Sequence, residues 1–243
     1  MGMNIDSLVR INKDRLSDFE KTLGYRFTDL RLLQRALVHS SYAFEQSHEG
    51  ENNEKLEFLG DAVLDLVIGH LLSCEYLEMR EGQLTKLRAS LVNEQHLAKM
   101  ARDIDLGDHL FLGKGEDASQ GRQKSSILSC AYEAVIGAVF EDGGYDIVAE
   151  LVDRFFLPCL DEKKEELRVA DSKSRLQEVL QEKHNEAPVY VIEGEEGPSH
   201  RKVFFVSVRF RDQILGTGQA GSKKVAEQQA AAAALIDLLE KGK

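Results

Sequence analysis

Up to about residue 160, hydrophobic residues recur at the spacing of an α-helix. Five segments have a 3.6-residue period or unbroken apolar runs: LLQRALVHSSY, KLEFLGDAVLDLVIGHLLSCEYL, LTKLRASLVNEQHLAKMARDI, SSILSCAYEAVIGAVFEDGG and YDIVAELVDRFFLPCL. Turn residues at 81–83 and 143–144 are predicted to separate helices, with Thr85 and Ser125 as N-caps. No segment alternates like a strand, so this part is predicted to be all-α.

The pattern changes after the charged segment 161–170, which predicts a linker or a helix end that runs into one. SRLQEVLQEKH then predicts a helix, and the alternation in VFFVSVRF is typical of a strand. The chain closes with an alanine-rich helix. We therefore predict a multidomain protein in which an all-α domain (1–160) and a linker (161–170) precede a small α+β module of order α-β-β-β-α (171–243).

Composition places the chain among ordinary globular proteins. Hydrophobic residues make up 42% and charged residues 30%. No apolar stretch approaches the ~18 residues of a membrane span, and the N-terminus lacks the apolar core of a signal peptide. Three distant cysteines suggest reduced thiols, with neither a disulfide framework nor a zinc site. We expect a cytoplasmic protein with no membrane partner.

The net charge of −11 is unevenly distributed. Residues 171–243 hold 11 Lys and Arg against 11 Asp and Glu, so they are neutral. Residues 1–170 hold 20 against 31 and carry the whole excess. An acidic first part and a balanced second part indicate different partners for the two.

Four carboxylates lie along one side of the apolar helix predicted at 52–69, within an arc of roughly 80°: Glu54, Glu57, Asp61 and Asp65. They are either the solvated stripe of an amphipathic helix or the ligands of a cation. No Lys or Arg follows Lys55 on this stripe, and Phe58 lies on the same side. Unpaired like charges repel one another, and Mg²⁺ favours carboxylate oxygen, so these details favour a metal site.

Glu133 is the only charged residue in the apolar run 126–140. A buried carboxylate is normally paired or bound to metal, so its partner is either an Arg from elsewhere or a cation shared with the first stripe. Glu81, before another helix, is a further member or a surface charge. Composition and spacing alone thus indicate an acidic, Mg²⁺-binding site between helices.

These residues lie in motifs that resemble bacterial ribonuclease III. In order they are ALVHSSYA (36–43), NEKLEFLGDAVL (53–64), REGQLTKLRASLV (80–92), LGKGE (112–116) and ILSCAYEAVIGAVFEDGG (127–144). The second part is similar to a double-stranded-RNA-binding domain in SRLQEVLQ (174–181), GPSH (197–200) and GTGQAGSKKVAEQQAA (216–231). The resemblance extends from about residue 18 to residue 240.

The resemblance implies an all-α endonuclease domain that forms a homodimer, with Phe58 inserted into the other subunit. Carried over by position, Glu57, Asp61 and Glu133 match metal-binding carboxylates. Glu54 and Glu81 match two further acids of the catalytic site. Asp65 matches no metal ligand and is expected to be a solvated or hydrogen-bonded surface acid.

Cys130 departs from the family pattern, which has Asp three residues before the glutamate at 133. A thiol is a poor partner for Mg²⁺, and loss of a ligand or of its support weakens metal binding. The chain is therefore an active enzyme of weaker metal affinity, a variant with compensation, or an attenuated form. The sequence leaves these three open.

The activity implied is Mg²⁺-dependent hydrolysis of double-stranded RNA, with Mn²⁺ as a possible substitute. The products would carry 5′-phosphate and 3′-hydroxyl ends with short 3′ overhangs, and the substrates would be rRNA and mRNA precursors. No serine near the motifs has a paired base, so no covalent nucleophile is predicted, and His39 is expected to pack or to cap a helix.

In the second domain, RNA contacts are expected from three places. Gln177 and Glu178 would lie on the contact face of the first helix, and Pro198, Ser199 and His200 would form a loop at a minor groove. Ser222, Lys223 and Lys224 would hold phosphate at a helix start, where Gly218 and Gly221 let the backbone come close. Recognition by shape and 2′-hydroxyls predicts weak sequence preference.

Two other functions compete with this one. A duplex-RNA-binding protein that lost cleavage through Cys130 would bind duplex RNA without cutting it. A helical, metal-dependent phosphohydrolase of small nucleotides would fit the acid cluster and leave the second domain unexplained. The three differ in whether duplex RNA is cut, only bound, or spared in favour of nucleotides.

Overall fold

The computed structural model describes residues 5–46, 51–198 and 201–241. The helices are α1 (Ile5–Ile11), α2 (Lys13–Leu23), α3 (Leu30–Ala36), α4 (Ser40–Glu45), α5 (Glu54–Glu75), α6 (Glu81–Leu91), α7 (Glu94–Asp103), α8 (Leu106–His109), α9 (Lys114–Ala118), α10 (Ser125–His184) and α11 (Lys223–Lys241). The strands are β1 (Val189–Glu196), β2 (Val203–Phe210) and β3 (Gln213–Ala220). None of the described helices is both long and apolar enough to cross a membrane.

The chain divides into two compact units, residues 1–160 and 161–243. Helix α10 is interrupted by a kink at Gly144, whose φ of 78° and ψ of −170° are not helical. Residues 161–170 are helical and belong to the second unit. Their role as an interdomain linker stays a prediction.

The first unit is helical around an apolar core, as predicted. Its fully buried side chains include Leu16, Phe19, Leu33, Leu64, Ile68, Leu87, Val135, Val139 and Phe156. The central helix α5 buries Leu56, Val63, Leu64, Val67 and Ile68 on one side. Glu54 and Asp61 are exposed, whereas Glu57 and Asp65 are half-buried at the edge of this core.

Four local predictions in this unit are wrong. Residues 81–83 form the first turn of α6 rather than a turn before it, and Thr85 lies inside that helix, where its hydroxyl donates to Glu81 at 2.9 Å. The segment LTKLRASLVNEQHLAKMARDI, which was expected to form one helix, is divided between α6 and α7. The Asn93 side chain caps α7 by accepting a hydrogen bond from the His96 N–H at 2.9 Å, which ends the run locally. Ser125 is the first residue of α10 rather than its cap.

The second unit has the predicted order of helix, three strands and helix. The strands form an antiparallel sheet in the order β1-β2-β3. Leu176 and Leu180 from the end of α10, Val206 and Val208 from β2, and alanines of α11 form one core cluster. Alternation on β2 therefore places its even-numbered residues against the helices.

Candidate metal site and nucleic-acid interface

Helices α5 and α10 cross at two glycines. A Cβ atom on Gly60 would lie 1.8 Å from the Glu133 carbonyl oxygen, and one on Gly137 would lie 2.2 Å from the Leu56 carbonyl oxygen. Any side chain at either position would push the two backbones apart. The contact sets Glu57, one turn before Gly60, beside the Glu133 segment of α10.

This crossing brings together Glu57, Cys130 and Glu133. One ligand atom from each of the three side chains lies within 4.8 Å of the others. Cys130 and Glu133 are three residues apart and share a face of α10, and Glu57 comes from α5. All three are half-buried.

The negative neighbours of Glu133 change its protonation. The pKa of its carboxyl is raised to about 7, mainly by burial and also by the negative charges of Asp61 and Glu57. No Lys or Arg pairs with Glu133 in the ranges that the structure covers. The carboxylate thus lacks the partner arginine that would have explained it without a metal.

The Cys130 thiol is held in its neutral form when no metal is bound. Burial, a hydrogen bond to Glu57 and the charges of Glu57 and Glu133 raise its pKa to about 12. The thiol therefore contributes no negative charge where the family pattern has a carboxylate.

The remaining predicted acids are more exposed. Asp61, on the exposed side of α5, is near enough to raise the pKa of Glu133. Glu54 and Glu81 are exposed in the first turns of α5 and α6, and among the described residues neither is grouped with Glu57, Cys130 and Glu133. Asp65 pairs with Arg88 at 3.4 Å, a partner on α6 that the sequence did not indicate.

The donor set fits a divalent cation. Glu57 and Glu133 offer oxygen atoms, Asp61 adds negative charge, and the half-buried carboxylate at 133 has no cation beside it. Such an arrangement is unfavourable unless a positive charge is added. The residues present therefore fit a metal ion, with sulfur in place of one oxygen donor.

Two further predicted positions can be located in this unit. Phe58 is 80% exposed on α5, an unusual position for a large aromatic ring. His39 caps α4, since its Nδ1 accepts a hydrogen bond from the Ser41 N–H at 3.2 Å. His39 therefore caps a helix, as expected, rather than activating a nucleophile.

In the second unit, the start of α11 forms a basic, exposed surface. The Ser222 hydroxyl accepts a hydrogen bond from the Val225 N–H at 3.3 Å, and Lys223 and Lys224 are exposed just after it. Gln177, Glu178 and Pro198 are also exposed. The predicted contacts Ser199 and His200 lie outside the described residues.

An aromatic ring between two lysines was not predicted. The Nζ atoms of Lys223 and Lys202 lie 5.5 and 5.8 Å from the centroid of the Phe204 ring. Glu195 forms an ion pair with Lys202, and the charge of Lys223 also helps to lower the pKa of its carboxyl. A carboxylate of this domain thus lies beside both lysines.

Gly218 lies at a close helix–strand contact that the sequence did not predict. A Cβ atom there would lie 2.1 Å from the Ala226 carbonyl oxygen, so Gly218 allows β3 to pack closely on α11. The space around Gly221 is open, with one backbone oxygen at 3.9 Å.

Comparisons with known proteins agree with both units. Residues 29–160 match the Ribonuclease-III-like family model, and residues 172–238 match the double-stranded RNA binding motif. Ribonuclease 3 of Desulfotalea psychrophila is 66% identical over 97% of this chain and 98% of its own length. Ribonuclease 3 of Oleidesulfovibrio alaskensis is 47% identical over 91% of this chain and 98% of its own length.

A solved structure supports the fold of the first unit. The nuclease domain of ribonuclease III from Campylobacter jejuni is 42% identical, covers 58% of this chain and 99% of its own, and has a TM-score of 0.54. That protein has a region involved in dimer formation. Together with the acidic crossing of α5 and α10, these matches show that the chain belongs to the ribonuclease III family, with a nuclease domain followed by a double-stranded-RNA-binding domain.

Proposed function

We propose that the chain is a Mg²⁺-dependent endonuclease that cuts both strands of double-stranded RNA. The observation that carries this proposal is the convergence of Glu57, Asp61 and Glu133 at one crossing, without a protein cation for Glu133 in the described ranges. Mn²⁺ has the same preference for oxygen ligands and would substitute. The products would carry 5′-phosphate and 3′-hydroxyl ends.

In this proposal Glu57, Asp61 and Glu133 bind the metal, with Asp61 on the exposed side of α5. A bound Mg²⁺ would activate a water at neutral pH and stabilise charge on the phosphate and the leaving 3′ oxygen. Glu54 and Glu81, in the first turns of α5 and α6, are proposed as two further acids of the catalytic site. The glycine contact fixes Glu57 relative to Glu133 before metal and RNA arrive.

Binding of the substrate is assigned to the second domain. The first 170 residues carry the whole net charge of −11, so they would repel RNA phosphates. The N–H groups and lysines at the start of α11 would attract them instead. Gln177, Glu178 and the loop with Pro198, Ser199 and His200 would contact the minor groove through shape and 2′-hydroxyls.

Homodimerisation follows from the same proposal. A duplex has two strands, and two copies of the site would cut both and leave short 3′ overhangs. The exposed Phe58 ring offers an apolar anchor for the partner chain. The substrates are rRNA and mRNA precursors, which implies a cytoplasmic location.

The test is cleavage of a long double-stranded RNA across a Mg²⁺ titration. We would compare the chain with Glu133→Gln and Cys130→Asp, using single-stranded RNA as the control substrate. Cleavage of duplex RNA by the chain and its loss in Glu133→Gln would support the proposal. If only Cys130→Asp cut, the chain would be chiefly a duplex-RNA-binding protein, which the neutral Cys130 thiol in the cluster favours as the second candidate.

A further inference from the structure

A sulfur atom stands among the oxygen donors of the metal site. The Cys130 thiol lies within 4.8 Å of carboxylate oxygens from both Glu57 and Glu133. None of the three cysteines forms a disulfide. The sulfur is therefore available as a ligand in a cluster that the fold assembles.

The position of this sulfur is fixed by helix packing rather than by a mobile loop. Cys130 and Glu133 are one turn apart on α10, and the Gly60 contact is made to the backbone of Glu133 itself. The three donor side chains are therefore carried by two helices that are in direct contact. A ligand set held in this way needs only side-chain rotation to close on an ion.

Ligand type decides which ion such a set prefers. Mg²⁺ takes oxygen and retains water, whereas Zn²⁺ and related ions accept sulfur together with carboxylate oxygen. We propose that Glu57, Cys130 and Glu133 bind a thiophilic divalent cation of the Zn²⁺ class through one sulfur and two carboxylate oxygens, and that this ion competes with Mg²⁺. The proposal rests on the proposed function only in taking this cluster as the metal site.

The geometry is compatible with three protein ligands. Donors at the usual bond lengths of a tetrahedral ion are about 3.5 Å apart. The three donors lie within 4.8 Å of one another, so rotations that shift them by about 1 Å would suffice. Binding replaces the S–H proton, which leaves to solvent, and three protein ligands leave one position for water.

Competition follows from shared ligands. A thiophilic ion and Mg²⁺ would both use Glu57 and Glu133, so they cannot occupy the site together. The ion held partly by sulfur would exchange more slowly and would keep Mg²⁺ out at low concentration. Zn²⁺ would thus compete with Mg²⁺ for this site. The competition depends on Cys130, the residue at which this chain departs from the family pattern.

The experiment uses the full chain with Cys74 and Cys159 both changed to Ser. This background leaves Cys130 as the sole thiol, and it removes Cys159, a second thiol that lies 3.7 Å from another metal-ligand type, His96 Nε2. Co²⁺ is titrated into the reduced, metal-free protein, and the thiolate-to-cobalt charge-transfer absorption is recorded. We expect this absorption to saturate at one Co²⁺ per chain.

Two variants in the same background serve as controls. Cys130→Ser should abolish the absorption and lower Cd²⁺ affinity by at least about tenfold, while changing Mg²⁺ affinity much less. Glu57→Gln should weaken the Co²⁺ absorption and Mg²⁺ binding alike. Absorption that persists in Cys130→Ser, or that never develops in the background chain, overturns the proposal.

A second measurement avoids any change at Cys130. Alkylation of Cys130 by iodoacetamide is followed by mass spectrometry in the background chain with Cd²⁺, with Mg²⁺ or with neither. The reaction is run at alkaline pH for long enough that the metal-free chain is alkylated, because the thiolate is the nucleophile. Protection by Cd²⁺ alone is then expected, and equal alkylation in all three samples overturns sulfur ligation. RNA cleavage with Mg²⁺ is scored separately, so failure of the proposed function would not be mistaken for failure of this inference.

Discussion

A Cβ atom on Gly60 would lie 1.8 Å from the carbonyl oxygen of Glu133. This distance ties the signature helix α5 to the helix that carries the second half of the site. A close approach of this kind needs a glycine because a real Cβ atom would overlap the carbonyl group. The packing of two backbones and the spacing of metal ligands therefore depend on the same residue.

Gly60→Ala should lower both stability and metal affinity. The added methyl group must separate α5 from α10, at a cost of about 1–3 kcal/mol in the free energy of unfolding. The shift would also draw Glu57 away from Glu133, so Mg²⁺ should no longer raise the melting temperature. Thermal unfolding with and without MgCl₂ measures both effects.

Gly115→Ala is the matched control for that change. No atom lies within 4 Å of a Cβ placed there, on the exposed helix α9. Replacement of an exposed helical glycine should stabilise slightly, by about 0.4–1 kcal/mol. Equal melting temperatures for the two variants would mean that α5 and α10 are less closely packed than described.

Glu133→Gln should stabilise the metal-free protein while it removes metal binding. The carboxyl pKa is raised to about 7 by burial and by two negative neighbours, so its ionised form is unfavourable in the fold at pH 8. After screening by solvent, the gain should be about 1 kcal/mol, or about 2–4 °C in melting temperature. Differential scanning calorimetry at pH 8 without metal tests this.

The control for Glu133→Gln is Glu141→Gln, an exposed position on the same helix. It should leave the melting temperature and its response to Mg²⁺ unchanged. A metal-free Glu133→Gln protein that melts lower than the unmodified chain would argue against mutual repulsion in the cluster.

Lys223→Ala and Lys224→Ala should each weaken duplex-RNA binding. Each lysine that neutralises one phosphate contributes about one unit to the slope of log K against log salt. Fluorescence anisotropy at several salt concentrations gives that slope. Lys183→Ala, which changes an exposed lysine near the end of α10, is the control. If the slope is the same in all three variants, the start of α11 does not contact RNA phosphates.

Glu195→Gln should strengthen duplex-RNA binding severalfold. Its carboxylate pairs with Lys202 and senses Lys223, so it competes with phosphate for both ammonium groups. Glu196→Gln removes an exposed charge from the next position and serves as the comparison. If both variants bind RNA equally well, the effect comes from net charge alone and not from the ion pair.

Phe58→Ala should shift the protein toward monomer in sedimentation velocity. The ring is 80% exposed in one chain, and its burial in a partner would supply apolar contact area at the interface. Ile11→Ala changes another exposed apolar side chain, 68% exposed on α1, and should have no effect. A Phe58→Ala protein that remains dimeric would place the interface elsewhere.

The sequence by itself determined the helical first domain, the α+β module and the acids of the site. These features are local, because a 3.6-residue period predicts one buried helix face and alternation predicts one buried strand face. The positions of Glu57, Asp61 and Glu133 followed from charge in apolar runs and from family motifs. The sequence also showed that Cys130 departs from the family pattern, which has Asp at this position.

The tertiary structure decided what depends on neighbours distant in the chain. The Gly60 and Gly137 contacts, the Asp65–Arg88 ion pair and the packing of Gly218 on α11 each join residues of different elements. Thr85 was assigned to a cap because its own neighbourhood resembles one, yet α6 begins a turn earlier. A periodic pattern states which face is buried but not which partner buries it, and that choice belongs to packing.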